Sequence, residues 1–169
     1  ERWGAAISIT EFGLSIIENP GDLSTALQIL ILLTVLTLAP AILILMTSFT
    51  RIVVSLSFIR NAIATNQMPP NQVLIGLALF LTFFIMAPVF MEAYTEGISP
   101  YLSGEIDLDT ALTSTMEPIR EFMFTHTREK DLAIFLEIRG EPMPETKADV
   151  STLTLIPAFV ISELKTAFQ

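Results

Sequence analysis

Residues 27–46 read LQILILLTVLTLAPAILILM, twenty positions with no charge and one proline, Pro40. A helix of about 20 residues rising about 1.5 Å per residue is about 30 Å long, the thickness of a bilayer's hydrocarbon. The charge-free region around this run is wider, from Leu23 to Thr50. A second one extends from Asn61 to Met91, with VLIGLALFLTFFIMAPVFM (Val73–Met91) as its apolar part. A third apolar stretch begins near Leu153 and carries the polar Ser162-Glu163-Leu164-Lys165.

Charge outside these runs completes a membrane-type pattern. The 169 residues are 51% apolar and only 16% charged, with a net charge of −9 and a mean hydropathy of +0.62. Soluble domains carry about 25% charged residues, spread along the chain. Here residues 23–91 hold two charges, Arg51 and Arg60, whereas residues 92–149 hold thirteen acids and five bases. The reading is an acidic N-terminal segment over 1–22 and two apolar helices over 23–91, joined by a basic connector at 47–72. An acidic, mainly helical segment follows over 92–149, and a third apolar helix starts over 150–169. The two arginines orient the connector toward the cytoplasm, which leaves the N-terminus and the acidic segment outside. Glu1-Arg2-Trp3 lacks a methionine, and a processed chain and an artificial start both fit. The pattern stops at Gln169 without a cap or breaker, as expected of a chain that continues.

Several function classes fall away. With no cysteine, disulfide scaffolds, thiolate metal sites and cysteine nucleophiles are excluded. His126, the single histidine, has no histidine partner for a metal and reads as a surface or interface residue. The acidic balance argues against nucleic acid. No phosphate loop or nucleophile elbow occurs, and Ser55 and Ser57 lie in an apolar stretch without a base. Glu129 and Asp131, two residues apart, point away from each other on a helix and read as a solvated face rather than an acid/base pair. No catalytic residue, cofactor or metal ligand is expected.

The acidic segment shows helical rather than strand periodicity. Asp109 is the expected N-cap of a helix with Ala111, Leu112, Met116, Ile119, Phe122 and Met123 on one face, broken or kinked at Pro118. Thr127 is the expected cap of a second, with Leu132, Phe135 and Leu136 inward and Gly140 at its end. Glu141–Glu145 reads as a loop. Pro40, Pro88 and Pro157 should kink their helices, to improve packing or to line a path. Pro69 and Pro70 end whatever follows Arg60, and Asn71 opens the next helix. For Arg51 and Arg60 the alternatives are snorkelling at the bilayer edge and a specific buried pairing. Glu163 and Lys165, inside an apolar helix, point to an inter-helix or inter-subunit contact. Met46, Met86 and Met91 are ordinary packing or a flexible seal.

The block APAILILMTSFTRIVVSLSFIRNAIATNQMPPNQVLIGLALFLTFFIMAPVF (Ala39–Phe90) closely resembles the FliP family of flagellar type III export-gate proteins, and more loosely its SctR relatives in virulence systems. REFMFTHTREKDLAIF (Arg120–Phe135) and IPAFVISELKTAFQ (Ile156–Gln169) are similar as well, so the resemblance covers roughly residues 27–169. It implies a non-enzymatic structural subunit with an all-α fold. Membrane-type kinked helical hairpins and an acidic, helical periplasmic segment would form part of a helical oligomeric gate. The implied assembly is a homo-oligomer, a pentamer, with FliQ and FliR, near FlhB, FlhA and the rod proteins. Unfolded flagellar subunits would pass through its centre. The implied location is the bacterial inner membrane and flagellar basal body, largely on the periplasmic side, with apolar helices buried against other subunits instead of lipid. Pro40, Arg51, Arg60, Pro69, Pro70, Asn71, Glu163 and Lys165 are then the expected interface or gate residues. The family continues into a further apolar hairpin with a methionine-rich pore seal that lies beyond this sequence. The alternative from the residues alone is a small-solute membrane transporter or channel, which would be expected to show an internal repeat.

Overall fold

The computed structural model describes residues 20–63, 69–140, 142 and 144–169, and every regular element among them is helical. The acidic N-terminal segment lies, up to residue 19, outside the described residues, as do parts of the expected loop at 141–145. The chain divides into two compact units, Glu1–Ile42 and Leu43–Gln169.

The first unit consists, where described, of most of helix α1 (Pro20–Leu45), which passes through Pro40. The leucines and isoleucines from Leu27 to Ile42 are exposed. Thr34 Oγ1 donates to Leu30 O at 2.7 Å and Thr37 Oγ1 to Thr34 O at 2.9 Å. The hydroxyls are thus satisfied inside the helix, as a low-dielectric surrounding requires.

The second unit is built from α2 (Phe49–Ala62), α3 (Asn71–Ala93), a π-helical turn (Tyr94–Ile98), α4 (Ser99–Leu102), α5 (Leu108–His126), α6 (Glu129–Arg139), a 3₁₀ turn (Lys147–Asp149) and α7 (Thr152–Ala167). The connector expected at 47–72 therefore contains a helix, α2, which packs against α3 and α7. The second apolar run does not stop near Met91. Helical structure continues through the π turn, so that Asn71–Leu102 forms one span. That span and Thr25–Leu45 are long and apolar enough to cross a membrane. The core lies where α5 meets α7, around Ile119, Met123, Leu155 and Phe159, with Met46 and Val150 closing it.

Local chemistry moves two expected helix starts. Asp107, not Asp109, caps α5, its Oδ1 accepting from the Thr110 N–H at 3.2 Å; Asp109 sits in the first turn. Hydrogen bonds from the Thr110 side chain and then its backbone N–H hold the Asp107 carboxyl below its usual range. Thr127 ends α5 instead of starting α6, whose cap position is Arg128. The Thr127 hydroxyl donates back to Met123 O at 2.7 Å, a bond that serves the helix it terminates. Pro118 breaks nothing; α5 runs through it, with Ile119 and Met123 buried beyond. On its expected inner face, Leu112 is exposed. Gly140 ends α6 in the left-handed conformation, φ 66°.

Gly97 fixes the approach of α5 to the π turn. A Cβ there would lie 2.1 Å from Thr115 Oγ1, 2.6 Å from Thr115 N and 2.8 Å from Ala111 O. Two of these three atoms are backbone, so only glycine permits the contact.

Candidate functional site

Two ion pairs meet on α7. Glu163 and Lys165 are two positions apart, so their side chains leave the helix in opposite directions. Glu163 is fully buried and its Oε1 pairs with Arg51 Nη2 from the first turn of α2. Lys165 Nζ pairs with Asp131 Oδ1 from the first turn of α6. One helix thus carries an acid toward α2 and a base toward α6.

The two pairs differ in how completely they are satisfied. Asp131 Oδ2 also accepts from Ser162 Oγ at 2.7 Å, and Ser162 Oγ accepts from the Arg128 N–H at 3.0 Å. Arg128 Nη2 donates to Gln169 Oε1 at 2.7 Å and Thr166 Oγ1 at 3.2 Å. Burial alone would raise the Asp131 pKa, but hydrogen bonds from Lys165 and Ser162 and the charges of Lys165 and Arg128 outweigh it, and the carboxyl titrates below its usual range. Asp131 is therefore not part of a solvated face with Glu129. It is buried while Glu129 is exposed. On the α2 side, Glu163 Oε2, Arg51 Nε and Ser48 Oγ are all buried without a hydrogen-bond partner.

The other expected residues sit at helix ends or on exposed faces. Arg60, in the last turn of α2, donates to Asn71 Oδ1 at the start of α3, so the two residues tie the ends of that connection. Pro70 is the N-cap of α3, and its carbonyl accepts from Val73 N at 3.0 Å. Pro69 is half-buried, Pro40 and Pro88 are exposed, and Pro157 is half-buried inside α7. The structure brings Arg51 to Glu163 and Arg60 to Asn71, the latter directly after Pro69 and Pro70. His126 Nδ1 lies 2.8 Å from Phe122 O, so this nitrogen carries the proton and donates. Met46 and Met86 are buried, while Met91 is exposed.

Arg120 is a structural centre that sequence reading did not isolate. It donates from Nη2 to Val150 O at 2.8 Å and Lys147 O at 3.2 Å, and from Nη1 to Thr152 Oγ1. Its guanidinium also lies 5.6 Å from the Phe124 ring centroid. Arg120 thereby pins the segment before α7 to α5. The sequence signal is a base followed four residues later by an aromatic, too common to single out.

Apolar surface is the other conspicuous feature. On α3 the buried positions Leu74, Ala78, Thr82 and Met86 recur every four residues and form a single stripe. Phe80, Phe83, Ile85 and Phe84, the last 75% exposed, cover the remaining faces. A helix apolar on all sides with one narrow contact stripe has further apolar neighbours, lipid or protein. An apolar cavity of about 200 Å³ between Met46, Phe49, Thr82, Phe83 and Ile119 contains no ionisable side chain.

Comparison with known proteins identifies the chain's relatives. A sequence model of the FliP family matches residues 32–169. The chain is 57% identical over 152 residues to the flagellar biosynthetic protein FliP of Bacillus subtilis, covering 90% of this chain and 69% of that protein. It is 45% identical to the flagellar biosynthetic protein FliP of Pectobacterium carotovorum, covering all of this chain and 70% of the relative. The corresponding protein of Treponema pallidum is 40% identical, with 63% of its length covered. The match includes α2, α3, α5, α6 and α7 and with them both ion pairs, and the chain belongs to the FliP family.

Proposed function

We propose that this chain is a structural core subunit of the flagellar type III protein export gate, which with FliQ and FliR forms the channel for unfolded flagellar subunits. It has no catalytic role in this reading. The observation that carries it is the uncovered apolar surface of α3, which suits a helix packed among subunits at a membrane. Glu163, Arg51, Lys165, Arg60 and Asn71 then set the angles between helices within each subunit. Pro40, Pro69, Pro70 and Pro88 shape the helices and turns that face neighbours. The assembly is a homo-oligomer, a pentamer, in the inner membrane and basal body, mostly toward the periplasm. FlhA, FlhB and the rod proteins are its neighbours.

The test is native mass spectrometry of the protein extracted in mild detergent after co-expression with its genomic neighbours. A defined complex of several copies with two smaller membrane proteins is the expected result. A monomer or simple dimer without partners would overturn it and favour the small-solute transporter.

A further inference from the structure

We propose that the contact between α2 and α7 is a release joint, the place where the second unit opens when the gate moves, while α7 remains fastened to α6. The inference rests on the export-gate reading. It comes from comparing the two sides of one helix.

On its α6 side, α7 is held by a connected set of hydrogen bonds. Asp131 takes Ser162 and Lys165, the Arg128 backbone takes Ser162, and the Arg128 guanidinium takes Thr166 and Gln169. Every charged group in this set has an oppositely charged or hydrogen-bonding partner on the other helix. The centre of this set, Asp131 with Ser162, is buried, while Lys165 is half-exposed; a satisfied buried carboxylate resists separation, because each bond lost leaves it unpaired.

On its α2 side, the charged contact among the described residues is the bond between Arg51 and Glu163. Arg51 Nε and Glu163 Oε2 of that pair are buried with no partner among the described residues. A buried charge pair satisfied in part contributes little, since desolvation offsets the attraction. Apolar contact across this joint includes the edge-on rings of Phe58 and Phe168, 4.9 Å apart, and Phe168 is largely exposed. Separating α2 from α7 therefore breaks one incomplete pair and lets its two orphaned atoms find new partners. Separating α6 from α7 breaks a complete set and creates orphans. Of the two joints, the first opens at lower cost.

The chain has no cysteine, so paired thiols report cleanly. F58C/F168C closes the α2–α7 joint, and R128C/Q169C closes the α6–α7 joint in place of the bond between those side chains. Each is introduced into the complete gene, in a flagellated strain lacking its own copy. Cells are treated with a reductant-cleavable bis-maleimide, and cross-linking is quantified by mass spectrometry. The readout is appearance of newly made flagellar subunits in the medium. The expected result is that the F58C/F168C link stops secretion and the reductant restores it, while the R128C/Q169C link leaves most of it. Full secretion with the α2–α7 link in place, or equal arrest by both links, would overturn the proposal.

R51M/E163L tests the joint without a cross-linker. Replacing an incomplete buried pair by apolar side chains keeps or raises stability, so normal complex yield with reduced secretion is expected. Normal secretion from that variant counts against the joint. The wild-type gene must first restore secretion to the deletion strain. A deletion strain that secretes normally refutes the export reading itself, and the joint with it.

Discussion

Asp131 keeps its charge although it is buried, because Lys165, Ser162 and Arg128 supply more than desolvation removes. A folded-state pKa below the unfolded value adds stability above the ordinary carboxylate range and loses it as the pH falls through about 4 and below. Thermal stability should therefore weaken toward acid, and D131N should be less stable at neutral pH with a smaller loss on acidification. A melt series from pH 7 to acid, with both proteins in detergent, checks the sign. The pair on the α2 side is incomplete, since Glu163 Oε2 and Arg51 Nε are buried without a partner among the described residues. E163A should cost about 3 kcal/mol, toward the low end for breaking a buried pair, since the Arg51 side chain is 34% exposed and regains water. Chemical unfolding of E163A beside the R51M/E163L double variant measures this, with the double variant expected to recover most of the loss.

At the scale of elements, the junction between α3 and α5 depends on a missing side chain. G97A places a Cβ against the Ala111 carbonyl and the Thr115 backbone, neither of which can turn aside. Overpacking of this kind costs about 1–3 kcal/mol. Adding T115A should not rescue it, because the two backbone atoms remain; melting temperatures of G97A and G97A/T115A test this, and full rescue would show that the hydroxyl alone sets the contact. Helix starts show where local sequence stops being decisive. Asp107 and Asp109 are both good N-caps, and the choice of Asp107 starts α5 two residues earlier, toward α4. Pro118 reads as a break because it removes one hydrogen bond, yet packing of Ile119 and Met123 on α7 outweighs that loss.

At the scale of the molecule, the apolar faces of α1 and α3 exceed what the chain itself covers. F84D, on an exposed face within the apolar span, should lower recovery from the membrane fraction, since a carboxylate near a bilayer's centre costs about 2.5–3.5 kcal/mol. The same change at Leu112, exposed on α5 outside the spans, should leave recovery unchanged; fractionation of both variants separates the two cases. The sequence alone determined that the chain is helical, where its first long apolar span lies and where the second begins, and that an acidic helical segment precedes the third apolar stretch. Hydropathy and helical period are local quantities, readable in windows of about 20 residues. The family resemblance was legible for the same reason, in unbroken blocks. Only the tertiary structure decided that Arg51 meets Glu163 across 112 positions and that Lys165 meets Asp131 across 34. It also decided that Asp131 is buried, that Arg120 pins the segment before α7, and that the two ion pairs are unequally satisfied. Those facts depend on which helices touch and at what angle, and no local period encodes them.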